Sequence, residues 1–309
     1  MIRTLGNLKA ALLLLGTLAF LSALTSTDSI ASSAKKLKVV VSIRPVHSLV
    51  AGVMVGAGQP QLLVEGSTPH SYSLKPSHAR ALQQADLVFW IGPSLEQFLL
   101  SPLKTLARKA RIVSFEKSLY SSFRAARTDL QSHNHPHTNR DPHIWLDPLI
   151  AQKMVIQINQ TLRTADPAHA ALYASNAQRL IQQLDALTQQ IKRKLTPVRT
   201  RPYVTLHDAF LYFEKRFKLR YAGSIALTPD HAPGARHLRT LRQRLKKQKI
   251  SCVFSERQAR SNLIKILTQG TRAKTASLDT LGNGLEKGPE LYFTLLQNNA
   301  RAFFSCLRP

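Results

Sequence analysis

Four of the eleven histidines in this 309-residue chain fall within one short stretch, HNHPHTNRDPHIWLDP, residues 133–148. Neutral imidazole is the commonest protein ligand for zinc-like metals, through either ring nitrogen. His133, His135 and His137 alternate in a polar setting, where they can chelate only at an ordering cost; a loose, auxiliary metal trap is expected there. His143 is placed differently: Pro142 fixes its approach, and Ile144-Trp145-Leu146 follow, so that Trp145 can shield it from water. His70, in TPHSYSLKPS, also follows a proline, and His207, in LHDAFLYFEKRF, ends an apolar run. Asp279, in LDTLG, ends another. Three imidazoles and one carboxylate are plausible ligands for Zn²⁺, at roughly 2.0–2.2 Å. A nitrogen-rich set favours zinc over manganese. Asp208, beside His207, could accept an imidazole N–H and fix its tautomer.

Such residues need a frame. β-rich apolar runs at 37–43, 61–65, 86–92 and 110–115 alternate with helical stretches, one opened by Pro45 and one capped by Ser77. Another helix starts at Ser94, and residues 116–142 carry no periodicity. Pro148 opens a helix to about Arg163, and no breaker interrupts Pro167 to Leu195, where Leu180, Leu184, Leu187, Ile191 and Leu195 form an apolar stripe. That span would make a helix about 40 Å long, a strut between lobes. The alternation then repeats, with strands at 203–206, 221–227, 250–255 and 274–278 and helices at 209–216, 234–249 and 289–304. The expected fold is α/β: two lobes, each a mainly parallel sheet flanked by helices, joined by a long backbone helix. The expected boundaries are an N-terminal lobe at 32–165 with its histidine loop at 131–142, a connecting helix at 166–196 and a C-terminal lobe at 197–309. Ligands of open α/β sheets bind beyond the carboxyl ends of the strands, where His70, His143, His207 and Asp279 all fall.

The N-terminus reads as a secretory signal over residues 1–31: Arg3 and Lys9, an apolar run from Ala10 to Leu24, then small residues. An exported chain with two cysteines, Cys252 and Cys306, is expected to join them in one disulfide; a metal-binding thiolate pair is the alternative. The net charge of +26 raises the question of nucleic acid or an anionic surface. The basic residues are scattered, densest from Arg242 to Lys249, and no nucleic-acid motif accompanies them, so no nucleic-acid partner is expected. No HExxH occurs, and no general base stands beside the histidines except Asp208, so an enzyme is not expected.

The segments SIRPVHSLV, PHSYSLKPS, ADLVFWIGPSLEQF, PHIWLDP, HDAFLYFEKRF, PGARHLRTLR, CVFSERQ and LDTLG, with the late Cys306, resemble the zinc/manganese solute-binding proteins of ABC importers. The resemblance runs from about Val39 to Leu307. It implies a monomeric periplasmic receptor that captures Zn²⁺ between two lobes and hands it to an inner-membrane ABC permease. The family's three metal histidines map onto His70, His143 and His207. Manganese members carry a glutamate where this chain has His207, so zinc is the expected ion. A manganese or other divalent-metal receptor, or a metal-dependent surface adhesin, is the alternative. Pro69 stands where some zinc members have an acid, which leaves the fourth ligand to Asp279 or water.

Overall fold

The computed structural model describes residues 36–66, 68–125, 127, 140–226, 234–256 and 261–309. The expected signal segment 1–31 and His133, His135 and His137 lie outside the described residues.

The first half builds β1 (Val39–Val41), α1 (Arg44–Val53), β2 (Gln61–Leu62), α2 (Pro76–Gln84), β3 (Leu87–Trp90), α3 (Leu100–Thr105), β4 (Arg111–Ser114) and the short α4 (Phe115–Ser118). Two long helices follow, α5 (Pro148–Ala165) and α6 (Ala170–Leu195). The second half builds β5 (Tyr203–His207), α7 (Leu211–Phe217), β6 (Tyr221–Ala226), α8 (Ala235–Lys247), β7 (Cys252–Glu256), α9 (Ser261–Thr268), β8 (Lys274–Leu278) and α10 (Leu291–Leu307). Each half forms a four-stranded parallel sheet, ordered β2-β1-β3-β4 and β6-β5-β7-β8.

Strand period two decides what each sheet face touches. In the first sheet Val39, Val41, Leu87 and Phe89 point inward to the main core, while Val40, Val88 and Trp90 point outward to Leu82 and Leu99. In the second, Tyr203, Cys252 and Phe254 point inward, while Val204, Leu206 and Val253 meet Leu241, Leu245 and Ile264 of α8 and α9. The inward faces of both sheets belong to one continuous apolar cluster, threaded by Met154 of α5, Leu184, Leu187 and Ile191 of α6, and Leu296 and Phe303 of α10. The two lobes therefore share a helical layer and a core.

The long helix forms because Leu180, Leu184, Leu187, Ile191 and Leu195 recur at helical spacing and are buried. A 3₁₀ turn over Pro167–His169 precedes it, so the regular helix begins at Ala170. Other boundaries also move. α2 begins at Pro76 rather than Ser77, because proline's fixed φ suits the first helical turn. Helix after Ser94 is delayed to a 3₁₀ turn at Gln97 and α3 at Leu100. The region expected to be structureless from 116 holds α4 and a 3₁₀ turn over Tyr120–Ser122.

The loop after β3 is held by Glu96, whose carboxylate accepts from Ser42 Oγ at 2.5 Å, Gly92 N at 2.8 Å and Ile91 N at 3.3 Å. Gly92 is required there: its φ is +150°, and a Cβ would run into the Glu116 carboxylate. Burial pushes the Glu96 carboxyl up to about 7. The unfolded chain releases that proton near the ordinary glutamate value of 4.5, so this group lowers stability as pH rises from 4.5 towards 7. Glu96→Gln is expected to remove a loss on the order of 3 kcal/mol across that window. Urea unfolding of both proteins at each end of the range checks it.

Candidate metal site

β5 ends at His207, one of the two central strands of its sheet, and β7 beside it ends at Glu256. His207 Nδ1 meets Glu256 Oε1 at 2.8 Å. A carboxylate there accepts a hydrogen bond from Nδ1–H, fixing the tautomer whose Nε2 lone pair is left to bind. His207 Nε2 is buried and meets no hydrogen-bond partner among the described residues.

His143 is built by its own motif. Asp141 Oδ1 accepts from the His143 backbone N–H and contacts its Nδ1, both at 2.8 Å. A 3₁₀ turn over Ile144–Leu146 then buries Trp145, whose ring lies 5.2 Å from the imidazole. Asp147 caps α5 through Leu149 N at 2.9 Å. Burial holds the His143 imidazole well below its ordinary pKa, so the neutral, ligating form prevails. The same burial pushes Asp141 up to about 7.

His70 sits in a 3₁₀ turn over Pro69–Ser71 entered through Thr68, whose Oγ1 accepts the His70 backbone N–H at 3.3 Å. The three imidazoles converge. Ring centroids lie 5.5 Å apart for His70 and His143, 5.7 Å for His70 and His207, and 4.9 Å for His143 and His207. Each offers a ligand atom within 4.8 Å of the other two, the only such grouping of three or more potential ligands among the described residues. His143 and His207 are 4% and 3% exposed. Three buried nitrogen donors, two with carboxylates behind them, suit a four-coordinate ion of zinc's kind with one position open.

Asp279 is not part of that grouping. Its Oδ1 accepts from Leu281 N at 2.9 Å and Gly282 N at 2.8 Å, and Asn299 holds its backbone on both sides. The LDTLG turn thus uses the carboxylate to shape itself. Asp208 does not orient His207 either: it pairs with Arg127, because consecutive residues at a strand end project to opposite sides. The orienting carboxylates are Asp141 and Glu256. Asp141 was legible as the acid two residues before His143. Glu256 was hidden, since only strand pairing brings it to a histidine 49 positions away.

The cleft is closed by contacts between the lobes. Arg216 of α7 grips Asp147 with two hydrogen bonds of 2.8 Å. Tyr212 Oη donates to Asp141 O at 2.7 Å, and Trp145 Nε1 to Thr280 O at 2.7 Å. Arg127 crosses to Asp208 and Glu214 and stacks 3.6 Å above the Tyr221 ring. Glu214 is buried, which pushes its carboxyl up to about 7. Arg127→Ala leaves this acid without its cation and is expected to cost roughly 3 kcal/mol or more in stability. Metal release into a chelator, followed by stopped flow, is expected to quicken because one inter-lobe tie is lost.

Known proteins resemble this chain along most of its length. A high-affinity zinc uptake system protein ZnuA from Brucella abortus is 39% identical over 304 residues, spanning 87% of this chain and 91% of the relative. The Yersinia pestis protein of that name is 32% identical over the same shares. A crystal structure of ZnuA superposes with a TM-score of 0.77 at 22% identity, covering 88% of this chain and 99% of the other. A mutant of the laminin-binding adhesin Lmb from Streptococcus agalactiae gives 0.75 at 25%, covering 88% and 100%. The family model described as zinc-uptake complex component A, periplasmic, matches residues 39–306, and on that match the chain belongs to the ZnuA family.

Proposed function

We propose that this protein is an extracytoplasmic receptor that captures one Zn²⁺ between its lobes through His70, His143 and His207 and delivers it to an ABC permease in the inner membrane. The observation that carries this reading is the convergence of three imidazoles, each within 4.8 Å of the others. Water or the second carboxylate oxygen of Asp279 completes the coordination. The protein acts as a monomer in the periplasm, once the segment 1–31 is removed, and performs no turnover. Zinc is cargo here, so the site must release it as well as bind it. The side chains that cross between lobes, Arg127, Arg216 and Tyr212, tie capture to closure.

His133, His135 and His137 act as an auxiliary trap that collects ions loosely at neutral pH. Metal analysis of protein purified without added ions is expected to find one zinc per chain. Deleting residues 131–139 is expected to remove only a weak second phase in calorimetry. Loss of the tight phase on that deletion, or a purified protein carrying manganese in place of zinc, would sink the reading.

A further inference from the structure

From Lys215 to Leu278 the chain carries sixteen lysines and arginines against two acids, Asp230 and Glu256. Glu256 is held by His207, and Asp230 lies outside the described residues. On α8, Arg236, Arg239, Arg242 and Lys246 are exposed at helical spacing, opposite Leu241 and Leu245, which pack on the sheet. At the end of that helix, Lys246 and Lys249 join Arg201, Arg272, Lys274 and Arg308 around an open cavity of about 530 Å³ with no acidic side chain in its wall. α9 adds exposed Lys265 and Ile266, the latter 58% exposed. Among the described residues, Arg216 pairs with Asp147 across the cleft, and no ion pair engages the named cations of α8, α9 and the cavity rim.

A surface of one sign, with no ion pair among the described residues, is stabilised by an external polyanion. We propose that the α8–α9 face of the second lobe docks on an anionic phospholipid bilayer. The cations are spread over two helices and a rim, on long stems that reach separate headgroup phosphates, and attraction to such a surface adds with each lysine or arginine. Ile266 supplies one apolar side chain for the headgroup layer. A folded protein partner would need a central cluster of apolar or aromatic anchors, and Ile266 is the one large exposed apolar residue on these two helices among the described residues.

The placement separates docking from metal capture. His207 lies at the carboxyl end of β5. Arg201, Lys249 and Lys274 stand at the amino ends of β5, β7 and β8, so the densest cations occupy the opposite end of the sheet. A receptor bound to lipid through this face keeps its cleft uncovered.

The test is co-sedimentation of the full protein with vesicles of phosphatidylethanolamine and phosphatidylglycerol, and with vesicles of phosphatidylcholine alone. Partitioning is expected only on the first. The variant Arg239→Glu, Arg242→Glu, Lys246→Glu, Lys249→Glu is expected to lose about a thousandfold or more in partitioning, with zinc stoichiometry unchanged. A control with the same charge change on the first lobe, Lys104→Glu, Arg108→Glu, Lys109→Glu, Arg111→Glu, is expected to lose about tenfold at most. Equal loss in both variants would mean general charge attraction without a docking face and would overturn the proposal. So would undiminished binding by the first variant, which would leave an acidic protein as the face's partner, or equal binding to phosphatidylcholine. Ile266→Trp gives a reading that does not depend on the charge variants folding: its emission is expected to shift to the blue on the anionic vesicles, and an unshifted spectrum overturns the proposal.

Discussion

His143→Ala is expected to weaken zinc binding by about a thousandfold or more while the protein stays folded, since one of three imidazole donors is lost from a four-coordinate site. The residue is buried against Trp145, with Asp141 supporting it from the Nδ1 side. Competition calorimetry against a chelator of known strength measures the loss. His207→Ala is expected to behave alike. Glu256→Gln is a useful contrast: it keeps every ligand and alters only the group behind His207, so a loss of about 10–100-fold is expected. If His143→Ala bound one zinc as tightly as the parent, the site assignment would be wrong.

Replacing Cys252 and Cys306 with serine is expected to lower stability by about 4 kcal/mol in the chain-entropy model. The two residues are bonded across 54 positions, with their Cα atoms 5.9 Å apart, joining β7 to α10. That bond closes a long loop and fastens the C-terminal helix to the sheet that carries His207. Both cysteines are buried within the shared core, so the serines would also bring hydroxyls into an apolar setting. Cys252 starts β7 and Glu256 ends it, so the bridge lies a strand's length from the histidines. Zinc affinity in the folded variant is therefore expected to hold. Urea unfolding gives the stability; an unmoved midpoint would show that the bridge contributes nothing.

The fold was largely legible because its signals are local. Continuous apolar runs such as Leu87–Trp90 demand cover on both faces, and the stripe from Leu180 to Leu195 has one period throughout. Element ends were less legible, since they are decided by single residues such as Pro76, whose fixed φ opens α2, and His78, whose Nδ1 accepts from the Lys75 backbone N–H. The continuity of the core was not legible at all: Tyr292 of α10 donates to Trp145 O at 2.6 Å across 147 positions, and no pattern in either segment announces the other. The histidines could be singled out because each stands after a strand or a proline. Their supports could not, when the partner is distant. Asp208 looked like the natural partner of His207 by adjacency, yet the strand's alternation sends it to Arg127 and brings Glu256 in from the next strand. Asp279 carries the right chemistry in the right kind of place, and its Oδ1 serves the turn it begins, a local use that spacing alone does not announce.

The most direct measurement is anomalous diffraction at the zinc edge from crystals of the zinc-loaded protein. One strong peak at about 2.0–2.1 Å from a nitrogen of each of His70, His143 and His207 is the expected result. A principal peak elsewhere, or one that leaves any of the three imidazoles uncoordinated, contradicts it.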